Sequence, residues 1–398
     1  MSHALWERAE IGNRTVLNKA IADIGSLNDA IGHACFFHDP SWLLEAEDRS
    51  SRDIALYLCR RDTEIIGYAP FVIQPWSMRF LLGEITLFSR RFQRLHVHGG
   101  PVLRPDGVSE NELAVTLFTG IKPDLDSRQA VYLEGVVREG PIERALDDPR
   151  VRRSYHILRL GPPYERRLIR LAENFDVYLQ SLKKHTRQNL RTGYRKLANH
   201  LGDDPKLIVC TTPEQVPQFV SKAVAISRKT YQWHLLGLGL RKPEQLERTL
   251  TAMAARGWTR CYLLECGGVP TAFMIGYQYR GTYHYVDVGF DPDWEKFSVG
   301  TMLHLAVLRE LTDRADRPQW FDFSSGTGPQ KERFSNQSRP EANYLLVPRN
   351  VRGFLLVAMY RGTGALSNRA VWLLDKLRLK AALKKLIRRR STANVTAE

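Results

Sequence analysis

A carboxylate at Asp287 is followed a short way downstream by the text EKFSVGTM, which joins a cation (Lys296), two hydroxyls (Ser298 and Thr301) and a glycine (Gly300) where a loop meets a helix. Such a junction suits an anion. Glycine lets the backbone come close, the first N–H groups of a helix have no intrahelical partner, and the hydroxyls and the ammonium add donors. We read Lys296, Ser298, Gly300 and Thr301 as the binding site of a phosphate-bearing donor, although a glycine at a helix start is common without one. In the strand-like text TYHYVDVGF, Asp287 alternates with Tyr283 and Tyr285, so all three are expected on one side. There the carboxylate would take a proton from an ammonium nucleophile and the tyrosines would flank the acceptor. Asp322 alternates with Phe321 and Phe323 and is expected to point away from them, toward a polar cleft or a backbone group. Lys331 follows the Ser324–Ser325–Gly326 turn, where a cation would hold a donor phosphate or carbonyl oxygen. A hydrogen-bonded strand-end aspartate and a solvated lysine are the ordinary alternatives.

A second set of groups is cationic. In YLQSLKKHTRQNLRTGYRKL, Lys184, Arg187, Arg191 and Arg195 fall on one face of a helical pattern with no acidic residue between Lys183 and Lys196, a stripe suited to phosphates. His96 and His98 lie on one face of a strand, but no third ligand is adjacent in sequence, so no metal is expected. No Gly-x-Ser-x-Gly, Walker or His-Glu-x-x-His text appears, which removes the simplest support for hydrolase, P-loop and zincin chemistry. Five scattered cysteines without a C-x-x-C pair read as reduced thiols.

These groups need a scaffold. At 398 residues, with 43% hydrophobic and 25% charged residues, the chain is long enough for two packed domains. Residues 1–26 lack a clear period and read as an N-terminal arm. An α/β mixture follows to residue 160, and GPPYERR, rich in proline, marks the boundary. The second domain, 161–350, opens with one long basic amphipathic helix and continues through two helices with proline near their starts, then an antiparallel meander (WTRCYLLEC, VPTAFMIGYQY, TYHYVDVGF). The donor loop, a helix, a strand, the lysine-bearing segment and a last strand complete it. Residues 351–398 form a basic tail, in which 371–390 is a cationic amphipathic helix suited to an anionic membrane face, an acidic partner or RNA. The net charge of +15 is concentrated partly there. No apolar run approaches a spanning helix and the start carries charge, so the expectation is a cytoplasmic protein, peripheral at the inner face of the membrane.

The order of elements over 258–347, together with YLQSLKKHTRQNLRTGYRKL, FSVGTMLHLAVLREL and FDFSSGTGPQKERF, resembles the GNAT superfamily of N-acyltransferases in its CelD-like and FemABX-like (BioF2-like) branch. HDPSWLLEAE, YLCRRDTEIIGYAPFVI and LHVHGGPVL resemble the degenerate first domain of the same proteins. The resemblance implies an α/β (α+β) fold of two tandem GNAT-like domains, each a mixed, largely antiparallel sheet flanked by helices. It implies transfer of an acyl group from acyl-CoA to an amine, in polysaccharide or envelope metabolism. Aminoacyl-tRNA as donor is the FemABX alternative, and a non-catalytic module binding anionic glycan, RNA or membrane is another. One departure is visible. The family's donor loop reads Arg or Gln, two residues, Gly, one residue, Gly or Ala, whereas Phe297 and Met302 hold its outer positions here.

Overall fold

The computed structural model describes residues 5–9, 14–31, 35–46, 53–82, 85–126, 128–201, 205–230, 233, 239–326 and 328–376. The first half runs β1 (Leu5–Arg8), α1 (Arg14–Ile31), a 3-10 turn at Phe36–His38, β2 (Ile54–Arg61), β3 (Glu64–Leu82), β4 (Ile85–His98), β5 (Val102–Leu103), α2 (Glu110–Gly120), β6 (Gln129–Val137), α3 (Pro141–Asp147), α4 (Pro149–Ser154) and β7 (Tyr155–Arg170). The second runs α5 (Phe175–Ser181), α6 (Lys184–Leu201), β8 (Lys206–Cys210), α7 (Val216–Lys229), α8 (Pro243–Ala255), β9 (Cys261–Cys266), β10 (Val269–Tyr279), β11 (Thr282–Phe290), α9 (Val299–Asp313), β12 (Trp320–Asp322), α10 (Pro329–Phe334), β13 (Gln337–Pro348) and α11 (Val351–Lys376).

Local chemistry sets many of these limits. Ser109 caps α2 by accepting from the N–H of Glu112 at 3.2 Å, and Asn174 caps α5 by accepting from Val177 at 2.9 Å. Gly257, at φ +72°, closes α8. The long basic helix is in fact two: α5 ends at Ser181, and Leu182 turns the chain into α6.

The strands join in one mixed sheet, ordered β1-β2-β3-β4-β6-β13-β7-β12-β11-β10-β9-β8, with β5 on β3. Each half contains an antiparallel meander, a helix and a strand parallel to the meander's last member: β4-α2-β6 in the first, β11-α9-β12 in the second. The halves then exchange strands. β13, from the end of the second half, pairs with β6, while β7, from the end of the first, pairs with β12. The GPPYERR segment read as a domain boundary therefore lies inside β7. Gly161–Pro163 forms a bulge there, because Leu160 pairs with Asn343 and Tyr164 with Glu341.

β1 and α1, most of which fall in the stretch 1–26 read as an arm, are part of the body. β1 pairs with β2, and α1 buries Ala20, Ile24 and Leu27, whose spacing is a helical face. They join a core that spans both halves, with Phe36, Leu56, Tyr68, Phe219, Leu250, Ile275 and Tyr277. Bonds cross with it: Tyr279 donates to Asp39 at 3.0 Å, and Arg280 reaches Asp29 and the carbonyl of Gly25. The far face of the second half packs α5, α6 and α9 on the sheet, and α2–α4 do so for the first. Of the tail, α11 buries Val357 against Met78, Phe80, Leu345 and Val347, while residues 377–390 of the cationic segment lie outside the described residues. No helix among the described residues is long and apolar enough to cross a membrane.

Candidate active site

Strands β11 and β12 pair over three residues and then part. Thr282, Tyr283 and His284 face Trp320, Phe321 and Asp322, after which Ser324 Oγ reaches across, donating to the carbonyl of Tyr285. The opening leads to the loop before α9. There Ser298 adopts a left-handed conformation, φ 56° and ψ 39°, and its carbonyl accepts from the N–H groups of Thr301 and Met302. The N–H groups of Val299 and Gly300 precede these bonds and are the helix-start donors left for a ligand. Lys296 and Ser298 are exposed beside them. Gly300 has an additional reason to be glycine, since a Cβ there would sit 3.2 Å from the ring of Phe290.

The structure separates the residues grouped by alternation. The β10–β11 register slips between Ile275 and Gly276, so that Tyr285 pairs with Gly276 and Asp287 with Ile275. Val286 is the extra residue of this bulge, and Asp287 moves to the opposite side from Tyr283 and Tyr285. It now lies on the side of Ile275, Tyr277 and His284, facing the core between the halves. Burial pushes its carboxyl up, against the opposing hydrogen bond from the Val288 N–H at 2.8 Å. Tyr283 is no acceptor ligand: it is fully buried, donates to the carbonyl of Arg260 at 3.2 Å, and occupies the space left by Gly276. Tyr285 stands against Phe321 and Phe323 and remains partly exposed.

Asp322 is not a base either. It is 5% exposed and takes a two-pronged contact from Arg166, at 2.9 Å from Nε and 2.6 Å from Nη2. Burial alone would raise the carboxyl, but Arg166 and His284 together hold it well below the usual carboxylate range. Lys331 donates to the carbonyls of Phe323 (2.8 Å) and Ser325 (2.7 Å), locking the turn that walls the opening, and burial lowers its pKa.

The basic stripe also divides. Arg187 donates to the carbonyls of Gln180 and Leu182, both at 2.7 Å, and so ties off the end of α5. Lys184, Arg191 and Arg195 are exposed. α6 lies across the loop before α9: His200 stacks on Phe297 with centroids 4.5 Å apart, and Gly193 leaves room for the Met302 methyl. This accounts for the two departures from the family pattern, since Phe297 and Met302 form the apolar seat of α6. A cavity of about 800 Å³ beneath α6 is lined by Leu190, Arg191, Tyr194, Met302 and Arg309, on the opposite face of the sheet from Asp287.

A buried polar assembly on the seam was not legible in the sequence. Along the seam between the halves, Arg166 joins Asp322 to Glu341 (3.6 Å), itself fully buried and bonded by Arg339 (2.7 Å) and Tyr164 (3.3 Å). His284 stands 3.7 Å from Asp322 with its ring against Phe36, and its Nε2 is buried with no hydrogen-bond partner among the described residues. Cys35 brings its Sγ to 3.5 Å from Nδ1 of His38. The other ring nitrogen, Nε2, faces the carbonyl oxygen of His98, which only accepts; Nε2 therefore carries a proton, and Nδ1 is left to exchange one with the thiol. Burial would raise the Cys35 thiol, but His38, then His284 and Arg166, bring it down to about 6. His38 moves up in response to Cys35, against burial. The only local signal was a cysteine three residues before a histidine, in CFFH.

Residues 184–334 match the family model described as an acetyltransferase (GNAT) domain. Among solved structures, the chain is similar to FemX at 10% identity, covering 84% of this chain and 98% of that one with a TM-score of 0.56. It is also similar to a tandem GNAT protein from the clavulanic acid biosynthesis pathway, at 10% identity, 87% and 100% coverage and a TM-score of 0.50. No curated protein matches the chain. The fold is thus a mixed α/β structure like that of the tandem GNAT protein, and the family-model match falls within its second half.

Proposed function

We propose that the chain is an N-acyltransferase that takes an acyl group from acyl-CoA at the opening between β11 and β12 and passes it to an amine entering along the seam. The observation that carries this reading is the parting of β11 and β12 beside the bare N-terminus of α9. The parted strands leave a slot for an extended thioester arm, and the helix start and Lys296 suit its pyrophosphate. Asp287, turned by the bulge toward the seam and raised by burial, takes the ammonium proton. Transfer otherwise relies on holding amine and carbonyl together. Asp322 and Lys331 act as positioning residues, one fixing Arg166 and His284 and the other the 323–325 turn.

The exposed Lys184, Arg191 and Arg195 of α6, the helix whose far end packs on the same loop, favour a second reading, an aminoacyl-tRNA donor, with the acceptor still an amine of envelope or polysaccharide chemistry. The exposed Phe354, Leu355 and Leu366 of α11 lead toward the cationic 377–390 segment and support contact with an anionic membrane face.

Calorimetry of nuclease-treated protein against acetyl-CoA and longer acyl-CoAs tests the donor. Saturable binding is expected, weakened in Lys296→Ala and Thr301→Val. Asp287→Asn should keep binding while turnover falls by about 10²–10⁴-fold. Folded protein that binds no acyl-CoA would sink the first reading, and copurified nuclease-sensitive tRNA would support the second.

A further inference from the structure

The parallel pairing of β4 with β6 places Glu134 directly opposite His98, and His96 lies two residues along on the same face. The flanking residues Leu95, Val97, Val131 and Leu133 all point into the core of the first half, so the two imidazoles and the carboxylate emerge together on the seam side. Nε2 of His96 is 2.9 Å from Oε2 of Glu134, Nδ1 of His98 is 3.8 Å from the same oxygen, and one ligand atom from each residue lies within 4.8 Å of the others. Three donors around a tetrahedral zinc ion, with bonds of about 2.0–2.1 Å, stand about 3.3 Å apart, so these spacings bracket the requirement.

The surrounding hydrogen bonds set the tautomer. With its amide turned to accept from Arg94 at 2.9 and 3.0 Å, Gln74 also accepts from Nδ1 of His96 at 3.2 Å. The proton is then on Nδ1, and Nε2 presents a lone pair to a carboxylate oxygen. That nitrogen is buried and, despite the short distance, has no aligned hydrogen-bond partner among the described residues. A lone pair facing an anion is repulsive unless a proton or a metal cation lies between them, and Nε2 is not aligned to donate a proton to Oε2. An outer acceptor that holds the far nitrogen of a ligand histidine is also the usual support of a metal site. The His98 ring is fixed separately, stacked on Phe37 with centroids 4.2 Å apart, and its carbonyl is held by His38. Arg94 bonds Gln74 and lies over the Tyr132 ring at 4.4 Å.

We propose that His96, His98 and Glu134 form a binding site for one divalent ion of the zinc type, held by three protein ligands with a remaining position open to water or to a ligand from the seam. The sequence withheld this site because Glu134 comes from a different strand, delivered by a parallel crossover. The three ligands are 12%, 31% and 25% exposed at their side chains, which leaves a path for entry. Two imidazoles and one carboxylate satisfy a borderline ion, whereas calcium or magnesium would ask for more oxygen ligands.

The proposal does not depend on the transferase reading, because its test reads metal binding directly. Metal-stripped full-length protein is dialysed against Zn²⁺ and its metal content measured, and Co²⁺ is titrated in parallel with visible absorption recorded. One equivalent per chain is expected, with the intense visible bands of low-coordinate cobalt. His96→Ala and Glu134→Gln should each lose the bound equivalent, and Gln74→Leu should weaken binding by about 10–100-fold. His185→Ala, on the exposed start of α6, should leave it unchanged. Circular dichroism monitors folding in every variant. Wild-type protein that retains no equivalent, or folded His96→Ala and Glu134→Gln proteins that bind as wild type does, would overturn the proposal.

Discussion

Alkylation of Cys35 offers a direct reading of the seam. Its thiol is brought from 9.0 to about 6, whereas Cys59 and Cys210 are pushed up to about 11 by burial, Cys261 and Cys266 are also raised by burial, and only Cys35 is partly exposed. At pH 7 such a thiol is about 90% thiolate, against about 1% for one at its ordinary value. The gain in rate is smaller than that ratio. A thiolate of lower pKa is a weaker nucleophile, and a Brønsted slope of about 0.4–0.5 removes about 15–30-fold, leaving roughly a 3–6-fold advantage. The pH profile is therefore the better assay. Modification by iodoacetamide, followed by peptide mass spectrometry, should rise with pH to a midpoint near 6 and level off above it, because the thiolate is the reactive form. His38→Gln removes the nearest cation, and an opposite charge at this distance is worth about 1–3 in pKa, so the midpoint should move up by at least about 1. A wild-type midpoint at 8 or above, or a midpoint indifferent to His38→Gln, would refute the ion pair.

Four other outcomes follow from the same geometry. Arg166→Met leaves Asp322 and Glu341 without their shared cation in a buried site and should lower unfolding free energy by about 3–5 kcal/mol in urea titrations; a loss below about 1 kcal/mol would show that the network is not held by charge. Tyr283→Phe should cost only about 1 kcal/mol and leave donor affinity unchanged. Gly276→Ala, whose Cβ would collide with the Tyr283 ring, should cost about 1–3 kcal/mol. Ending the chain before Gln337 bares the facing edges of β6 and β7 and should give aggregates rather than two folded halves; a soluble, cooperatively melting product would contradict the strand exchange.

Much of the second half was legible because its signals are local. The strands at 261–266, 269–279 and 282–290, their glycine turns, the proline-led α8 and the start of α9 follow from periodicity and turn chemistry within a few residues. The helical face of Ala20, Ile24 and Leu27 is equally local, but these three apolar residues are too few to stand out as a period near the end of 1–26. The face of Asp287 was a different matter. Strict alternation predicts the side of Tyr283 and Tyr285, but one extra residue at Val286 reverses it, and a bulge depends on the partner strand as much as on its own text.

What the sequence determined by itself was the kinds of element, their order and the place of the glycine-containing loop before α9, since these rest on contacts between near neighbours in the chain. Only the tertiary structure decided which distant groups meet. β13 crosses to β6, β4 runs parallel to β6, and the 3-10 turn at Phe36–His38 docks against β11. Those pairings bring together Cys35 with His284, Arg166 with Asp322 and Glu341, and His96 and His98 with Glu134. The physical reason is that burying a continuous apolar face and completing every strand's hydrogen bonds are properties of the whole sheet, so the charges carried along with those strands end up beside partners that no local spacing could announce.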